Sequence, residues 1–378
     1  MAEEEVDVLV LGGGPAGCAA ALTLARKGLR ALVVERLEEP AAQIGETLAP
    51  SAHALLADLG VWERFLDDRH LPSVGTHATW GSDVPYDKDF IFSPYGHGWH
   101  IDRLRFNRML LQAAQDSGAG VLRGACGFDC SPCSGGRSKV EIDTRSTMIH
   151  ARARFVIDAT GRPALFARRR GARRIACDRL IGIAAFLAPN TAPEADARTW
   201  VEAVEQGWWY SARLPDQRLV VAFMTDADLY TRQGRDALAC WQEWLCHAPR
   251  TWTRAAGHAV QTAPRPWPAS SSRLDVVVGD NWLAAGDAAM AFDPLSSQGI
   301  CQALASGQQA ARHISEHLAG DPTAVARYAR LIDSGFGQFL RARNHYYSLE
   351  SRWAQSRFWR RRQSVGQVPS GRLAVQPV

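Results

Sequence analysis

The sequence predicts an α/β protein that combines a buried parallel sheet, a second, antiparallel sheet and a set of C-terminal helices. Three observations predict it. The N-terminal segment has the pattern of an apolar strand, a glycine-rich turn, a helix and a second apolar strand. Residues 173–273 have the pattern of strands with polar interruptions. Beyond residue 321, apolar residues recur at helical spacing. We expect a Rossmann-like domain from 1–75, 100–175 and 274–320, a sheet domain from 76–99 and 176–273, C-terminal helices over 321–365 and a flexible tail over 366–378.

The N-terminal segment carries a complete dinucleotide fingerprint in its required context. Residues 6–11 (VDVLVL) read as a buried strand, and an Ala- and Leu-rich helix follows. The turn between them is Gly12-Gly13-Gly14-Pro15-Ala16-Gly17. Gly12 allows the tight turn, Gly14 lets a pyrophosphate approach the backbone, and Gly17 lets the helix pack close to the strand. A second strand, 31–34, ends at Glu35, whose carboxylate is placed to accept ribose hydroxyls. The fingerprint predicts an adenine dinucleotide but does not choose between FAD and NAD.

Composition and charge limit the partners and the environment. The net charge of +4 is too small to indicate a nucleic-acid partner, and no long apolar run predicts a membrane span. Acidic residues at 3–5 lead straight into a strand, unlike a secretory signal, so we expect a cytoplasmic protein. Cys126, Cys130 and Cys133 cluster without a second pair, so we predict no metal site and regard them as reduced residues in a loop or hairpin.

Five later segments follow the fingerprint in order. They are GETL at 45–48, WHIDR at 99–103, DATGR at 158–162, GD at 286–287 and DPLSSQGI at 293–300. We expect GETL to open a helix, WHIDR to lead from a strand into a helix over 104–114, and DATGR and GD to end buried strands. DPLSSQGI is expected to begin a helix that reaches about residue 318. Each segment alone is unspecific, but the ordered set is not.

This ordered set resembles the flavin monooxygenase superfamily of para-hydroxybenzoate hydroxylase and the tryptophan halogenases, over most of the chain. The resemblance implies that the Rossmann-like domain binds FAD and that the antiparallel sheet is a substrate domain above the flavin. It implies that Asp287 binds the ribityl chain, that Arg103 lies near the cofactor, and that Asp158 and Gly161 shape the loop beside the pyrophosphate. The helix that begins at Gly299 would point its positive end at the anionic reduced flavin. The predicted cofactor-binding set is Gly12, Gly14, Pro15, Ala16, Gly17, Glu35, Arg36, Glu46, Thr47, Arg103, Asp158, Gly161, Gly286, Asp287, Gly299 and Ile300.

The middle region departs from the halogenases of that superfamily. Strands are predicted at 181–187, 208–214 and 219–225, with a hairpin turn at 214–217 and further strands within 79–99. In GWWYSARLP (207–215), Tyr210 replaces the second tryptophan of the halogenase signature, and the proline comes two residues late. Halogenases also require a lysine in the segment that here spans about 71–80; this segment has none, and the nearest is Lys88. Hydroxylation with flavin and O2 needs only a dry pocket and an oriented aromatic ring, so it is favoured.

Within the superfamily the chain most resembles the flavoproteins that mature lysine and glycine oxidases, and a related monooxygenase that matures quinohemoprotein amine dehydrogenase. The resemblance rests on GWWYSARLP, VVAFMTDADL, GWHIDR and the terminal RNHYYSLESRWAQSRFWRRR. It implies an FAD-dependent monooxygenase that hydroxylates a tryptophan side chain of a partner protein, an immature quinone-dependent oxidase, during cysteine tryptophylquinone biogenesis. Two alternatives stay open: a small-molecule aromatic hydroxylase of natural-product metabolism, and a non-catalytic flavoprotein scaffold for an immature partner. Electrons would come from transiently bound NAD(P)H or a separate flavin reductase.

Acid–base candidates in the expected pocket are His77, His100 and Tyr210, although a lone histidine is more often structural. Indole is electron-rich enough to need no strong base. Trp80, Trp208 and Trp209 are expected either to line the pocket or to pack in the core. The terminal RFWRRR (357–362) has two interpretations, a packed surface helix or a docking surface for a partner protein.

Overall fold

The structure is a computed structural model that describes residues 3–39, 44–133, 137–144, 147–190, 196–230 and 235–363. The predicted tail over 366–378 lies outside these ranges. The strands are β1 (Glu3–Leu11), β2 (Ala31–Glu35), β3 (Thr47–Leu48), β4 (Leu71–Ser73), β5 (Gly75–Thr79), β6 (Tyr86–Asp89), β7 (Gly98–His100), β8 (Gly120–Arg123), β9 (Ala125–Cys133), β10 (Arg137–Thr144), β11 (Met148–Asp158), β12 (Arg174–Ala176), β13 (Leu180–Leu187), β14 (Thr199–Val204), β15 (Gly207–Arg213), β16 (Leu219–Asp226), β17 (Arg265–Pro268), β18 (Ser272–Leu274), β19 (Val278–Gly279), β20 (Trp282–Ala284) and β21 (Met290–Ala291). The helices are α1 (Pro15–Arg26), α2 (Ala52–Asp58), α3 (Trp62–Asp67), α4 (Arg103–Asp116), α5 (Leu165–Arg169), α6 (Ala237–Leu245), α7 (Pro249–Ala255), α8 (Gly299–Leu318), α9 (Ala324–Ser348) and α10 (Arg357–Gln363).

The first sheet confirms the predicted α/β fold. Its main path runs β19-β20-β11-β1-β2-β8, and β10 and β9 extend it as an antiparallel arm from β11. β1 pairs in parallel with both β2 and β11, so Leu11 lies opposite Val34 and Asp158. Because parallel strands end at the same edge, the fingerprint turn, Glu35 and the DATGR loop meet there. Residues 8–11 are completely buried, as a strand covered on both faces should be.

Helix α8 packs directly on α1, and small residues make this contact possible. A Cβ on Gly307 of α8 would lie 2.0 Å from the Ala16 carbonyl oxygen of α1. Gly286, just after β20, approaches the same place, since its Cβ would lie 2.6 Å from the Ala16 Cβ. The first turn of α1 is therefore packed against the segments that carry GD and DPLSSQGI.

The second sheet has seven strands in the order β17-β13-β16-β15-β14-β5-β6. The strands predicted at 181–187, 208–214 and 219–225 are confirmed to within one residue at each end. The sequence analysis did not anticipate α6 and α7, which cover the outer face, where Trp209 packs on Phe223 and Trp241. Trp208 packs from the opposite, inner face with Met224 and Tyr347.

The C-terminal helices close the inner face of this sheet. Phe358 and Trp359 of α10 are fully buried, and the Trp359 indole donates to the Val204 carbonyl at 2.9 Å. Arg362 is also buried and pairs with Asp226 at 2.7 Å, as Arg361 does at 2.8 Å. RFWRRR thus forms a packed helix, which favours the first of its two interpretations.

Two local predictions were wrong. GETL does not open a helix: Thr47 and Leu48 pair with β7, and the helix begins only at Ala52. The helical spacing beyond residue 321 continues in the sequence through Glu350 and Trp353, which predicts a longer helix, but α9 stops at Ser348. Residues 131–132, by contrast, lie in the expected hairpin, since β9 pairs with β10 in antiparallel orientation.

Within the described ranges, no helix is both long enough and apolar enough to cross a membrane.

Candidate active site

The glycine turn after β1 forms an open cradle for a phosphate group. Gly12 has φ +109°, and a Cβ there would lie 2.3 Å from the Ala159 carbonyl oxygen. A Cβ on Gly17 would lie 1.9 Å from the Gly12 carbonyl oxygen, so strand and helix touch there. Gly14 differs, because no atom of the described residues lies within 4 Å of its Cβ position. In the part of the chain that the structure describes, no side chain caps α1, which begins at Pro15, so its first N–H groups face this open space.

Glu35 lies at the edge of the same turn. One carboxylate oxygen accepts the Gly13 N–H at 2.7 Å, and the other accepts the Leu37 N–H at 2.9 Å. These bonds hold the carboxylate at the end of β2, where the fingerprint requires an acceptor for the ribose hydroxyls. Arg36 follows it on the surface and is exposed.

Asp158 and Gly161 shape the loop after β11. The Asp158 carboxylate is fully buried and accepts the Thr160 N–H at 3.0 Å and the Ala167 N–H at 2.8 Å. Both oxygens are thus used to fold the loop back onto α5. Gly161 has φ +73°, a conformation that favours glycine.

Asp287 projects from the turn after β20. Its carboxylate stays 35% exposed, and the Arg162 Nε lies 3.5 Å away. Partial burial raises the pKa of Asp287, and the charges of Arg162, Arg174 and Arg103 oppose that rise. Arg174 also donates to the Asp287 and Ala288 carbonyls at 3.1 and 2.8 Å, which fixes the turn. Asp287 is therefore an accessible hydrogen-bond acceptor held in a positive environment.

The start of α8 is likewise uncapped. Among the described residues, no side chain caps the N–H groups of its first turn, and no atom lies within 4 Å of a Cβ built on Gly299. Ile300, the next residue, is buried. The preceding loop is held by Asp293, which accepts the Leu295 N–H at 2.9 Å and the Tyr347 hydroxyl at 2.8 Å. The positive end of the helix dipole therefore faces open space.

These features fit FAD. Two uncapped helix starts, one beside Gly14 and one beside Gly299, provide donors for a pyrophosphate and for an anionic ring. Asp287 and Glu35 provide acceptors for the ribityl and ribose hydroxyls. The residues that would hold FAD thus come from four segments that are distant in sequence and adjacent in the fold.

A row of buried and half-buried polar side chains joins this cradle to the second sheet. The Thr47 hydroxyl lies 2.7 Å from the Tyr210 hydroxyl and 3.3 Å from that of Thr199. Thr199 in turn lies 2.9 Å from Nε2 of His100. Burial, helped by the charge of Arg254, lowers the pKa of His100 to about 3, so this ring is neutral at pH 7. Burial raises the pKa of Tyr210 well above its usual value, so its hydroxyl stays protonated.

Glu46 has the most unusual carboxylate of the site. It is 2% exposed, and neither oxygen has a hydrogen-bond partner of ordinary geometry among the described residues. Burial raises the pKa of Glu46 to about 7, against the lowering effect of nearby backbone N–H groups and of Arg103. Arg103 donates to the Ile44 and Gly45 carbonyls at 3.1 and 3.0 Å and thereby holds this segment. Glu46 is thus a carboxyl group that changes protonation near neutral pH.

His77 lies apart from this row. It pairs in register with Trp200, the neighbour of Thr199 on β14, so it projects from the opposite face of the sheet. There it stacks on Trp200 and contacts Asp87 at 2.7 Å. Trp209 also faces outward, whereas Trp80 and Trp208 pack against Tyr347 in the inner core.

Sequence reasoning missed several residues that support the site. Arg174 and Tyr347 fix the turns that carry Asp287 and Asp293, and Thr199 joins His100 to Thr47. No local motif marks them, since each acts through tertiary contacts. The sequence predicted only cofactor binding for Glu46. Its raised pKa could not be predicted, because it depends on burial in the folded protein.

The unfolding free energy of the FAD-free protein should show the raised pKa of Glu46. The folded protein keeps a proton that the unfolded chain releases between about pH 4.5 and about pH 7, so stability falls as the pH rises through this range. The substitution Glu46→Gln removes this pH-dependent loss of stability. In urea unfolding, we expect the unfolding free energy of the variant to exceed that of the wild type by up to about 3 kcal/mol above about pH 7. Below about pH 4 the two unfolding free energies should be equal. A difference independent of pH would contradict the assignment.

The cradle and the row beside it define a flavin-dependent oxidoreductase. The profile of the FAD binding domain family matches residues 5–330, and the chain belongs to this family. It is 30% identical over 366 residues to the FAD-dependent oxidoreductase LodB of Marinomonas mediterranea, which covers 95% of this chain and 97% of that protein.

Two solved structures are similar over nearly the whole chain. The myxobacterial chondrochloren halogenase CndH superposes with a TM-score of 0.89 at 23% identity, covering 96% of this chain and 87% of that one, which shows the fold. QhpG, described as a peptidyl tryptophan dihydroxylase essential for tryptophylquinone cofactor biogenesis, has a TM-score of 0.76 at 26% identity, covering 98% and 82%.

Proposed function

We propose that this protein is an FAD-dependent monooxygenase that hydroxylates the indole ring of a tryptophan in a partner protein, an immature quinone-dependent oxidase. One observation carries the proposal. A buried carboxyl group with a pKa of about 7, Glu46, lies between the flavin cradle and a sheet rich in aromatic residues. The three lysines of the chain are Lys27 at the end of α1, Lys88 on β6 and Lys139 on β10, and none belongs to this row. The site therefore offers a proton acceptor for ring oxygenation and no ammonium group for halogen transfer.

The roles of the side chains follow from their protonation states. Bound FAD, reduced by NAD(P)H or by a separate flavin reductase, supplies the activation of O2. Glu46, when ionised, accepts the proton that the ring carbon loses. Tyr210 stays protonated and is a hydrogen-bond donor, while neutral His100 fixes Thr199 and hence the row. The buried aromatic sheet and the C-terminal helices exclude water from this side.

One similarity supports a protein-borne tryptophan as the substrate. The LodB similarity, over nearly the full length of both chains, supports only a flavin-dependent oxidoreductase. The name of QhpG states that it acts on peptidyl tryptophan. A small-molecule hydroxylase would share the flavin cradle and the proton acceptor but would act only on free aromatic compounds.

The proposal is tested with FAD-loaded protein, NADH and a general flavin reductase. N-acetyltryptophanamide and a tryptophan-containing peptide are the substrates, and the same peptide with phenylalanine in place of tryptophan is the matched control. We expect substrate-dependent oxygen consumption and a product heavier by one or two oxygen atoms on the indole ring. If neither tryptophan compound changes the rate of oxygen consumption, the result would favour the scaffold alternative and contradict the proposal.

Halide ions should not enter the product. Lys88 is exposed on β6 and approaches the ring of Tyr346 at 5.6 Å on the surface, so it does not belong to the buried row. In excess bromide we expect only oxygenated N-acetyltryptophanamide, at the same rate for the wild type and Lys88→Ala. A brominated product that disappears in Lys88→Ala would instead assign halogenation to this lysine.

A further inference from the structure

Tyr347 of α9 is the meeting point of three parts of the fold. It is completely buried, and its hydroxyl donates to the Asp293 carboxylate at 2.8 Å while it accepts the indole N–H of Trp208 at 3.0 Å. Asp293 belongs to the loop that leads into α8, and Trp208 belongs to β15 of the second sheet. A single hydroxyl therefore joins the C-terminal helices to the loop before α8 and to the strand that carries Tyr210.

Asp293 is the group through which Tyr347 acts on this loop. Its side chain is 1% exposed; one carboxylate oxygen accepts the Leu295 N–H at 2.9 Å, and the other accepts the Tyr347 hydroxyl. The second oxygen also accepts the Nε–H of Arg343 at 3.3 Å. These bonds fold the 3₁₀ turn at 294–296, which lies shortly before α8. Removing the Tyr347 hydroxyl therefore loosens the segment from which α8 begins.

Two buried arginine side chains hold the Tyr347 ring in place. Arg343 and Arg362 lie over the ring, at 5.2 and 5.1 Å from its centroid. Arg343 pairs with Asp178 at 2.9 Å as well as with Asp293, and Arg362 of α10 is held by its own buried ion pair. Burial raises the pKa of Asp293, and the charge of Arg343 opposes this rise. Any movement of the ring would disturb these ion pairs, so the position of the hydroxyl is fixed.

The position of the first turn of α8 decides what its N–H groups can stabilise, because the effect of a helix dipole falls off within about one turn. The N–H groups from Gly299 onward would face the flavin ring, which is neutral when oxidised and anionic when reduced. A misaligned first turn should therefore weaken the binding of reduced FAD more than that of oxidised FAD. A contact that only stabilised the fold would affect both forms alike.

We propose that Tyr347 is a positioning residue that aligns the start of α8 with the flavin ring through Asp293 and thereby stabilises the reduced cofactor. The inference goes beyond the proposed function, because it concerns bound FAD whatever the substrate. It also gives a role to the terminal segment 343–362, which begins with Arg343, contains Tyr347 and ends with Arg362. This segment holds the hydroxyl that fixes the loop before α8.

The test compares Tyr347→Phe, which removes only the hydroxyl, with the matched control Tyr328→Phe. Tyr328 also lies on α9, is completely buried, and donates a hydrogen bond of the same length, 2.8 Å, to the Ala284 carbonyl in β20. The affinity for oxidised FAD is measured by titration of flavin fluorescence. The midpoint potential of the bound FAD is measured anaerobically against a reference dye, and the two values together give the affinity for reduced FAD.

We expect Tyr347→Phe to lower the affinity for reduced FAD about tenfold more than the affinity for oxidised FAD, a change within the range of helix-dipole effects. For a two-electron couple this corresponds to a midpoint potential lower by about 30 mV. Tyr328→Phe should keep the wild-type ratio of the two affinities. An unchanged ratio in Tyr347→Phe, or an equal shift in both variants, overturns the inference.

Hydrogen exchange of the wild type tests the same claim without a substitution. Reduction of the bound FAD should slow amide exchange at 299–301, because these N–H groups then bind an anion. This slowing should be smaller in Tyr347→Phe and should persist in Tyr328→Phe. Equal exchange at 299–301 with oxidised and with reduced FAD in the wild type overturns the inference, whatever the variants do.

Discussion

Replacing Gly14 with valine should abolish FAD binding while leaving the protein folded. The backbone of Gly14 has φ −77° and ψ −176°, an extended conformation open to any residue, and a Cβ there meets no atom of the described ranges. The valine side chain would instead occupy the space for the pyrophosphate. Loss of two charge-assisted hydrogen bonds at about 1.5–3 kcal/mol each corresponds to at least about a hundredfold loss of affinity. Titration with FAD, followed by flavin fluorescence, measures it.

The matched variant is Gly17→Ala, three residues along the same turn. Its Cβ would lie 1.9 Å from the Gly12 carbonyl oxygen, so the expected defect is instability of about 1–3 kcal/mol or more. The melting temperature of the FAD-free protein separates the two variants. If Gly14→Val melts as low as Gly17→Ala, or still binds FAD like the wild type, the cradle is misassigned.

Glu46→Gln should lower kcat for N-acetyltryptophanamide by about 10²–10⁴-fold, because the amide cannot accept a proton. The wild-type rate should rise with pH through about 7, where Glu46 ionises, and the residual rate of the variant should lack this rise. FAD affinity should change little, since Glu46 is not required for the phosphate cradle. Stopped-flow and steady-state rates across this pH range measure the effect.

His77→Asn is the matched control, because His77 lies on the opposite face of the sheet. It should retain the wild-type kcat and pH profile. A pH profile that is unchanged in Glu46→Gln but altered in His77→Asn would reverse the assignment.

The fold was largely predictable because its signals are local. Gly12, Gly14 and Gly17 each have one conformational or steric role within a short turn, and the strand and helix around them follow from apolar runs. The central strands of the second sheet were also predicted, because their apolar runs end at a clear turn. Helices α6 and α7 were not predicted. Helix α7, for example, is one short segment whose stability comes from packing on the outer face of the sheet.

The candidate site was less predictable because it depends on tertiary pairing. His77 and His100 look alike in sequence. The parallel pairing of β14 with β5 sends His77 outward, whereas the pairing of β3 with β7 brings His100 to Thr47. The pKa of Glu46 reflects its burial, which no spacing reveals. Tyr347 reaches Asp293 from a helix more than fifty residues away.

The central claim is that this protein uses O2 to oxygenate a tryptophan ring. The most direct measurement is mass spectrometry of N-acetyltryptophanamide and of the tryptophan peptide after turnover under isotopically heavy dioxygen in ordinary water. We predict that the heavy isotope appears on the indole ring of both compounds, and that Glu46→Gln strongly reduces its incorporation. Product that carries only oxygen from water, or flavin oxidation that leaves both compounds unchanged, would contradict the account.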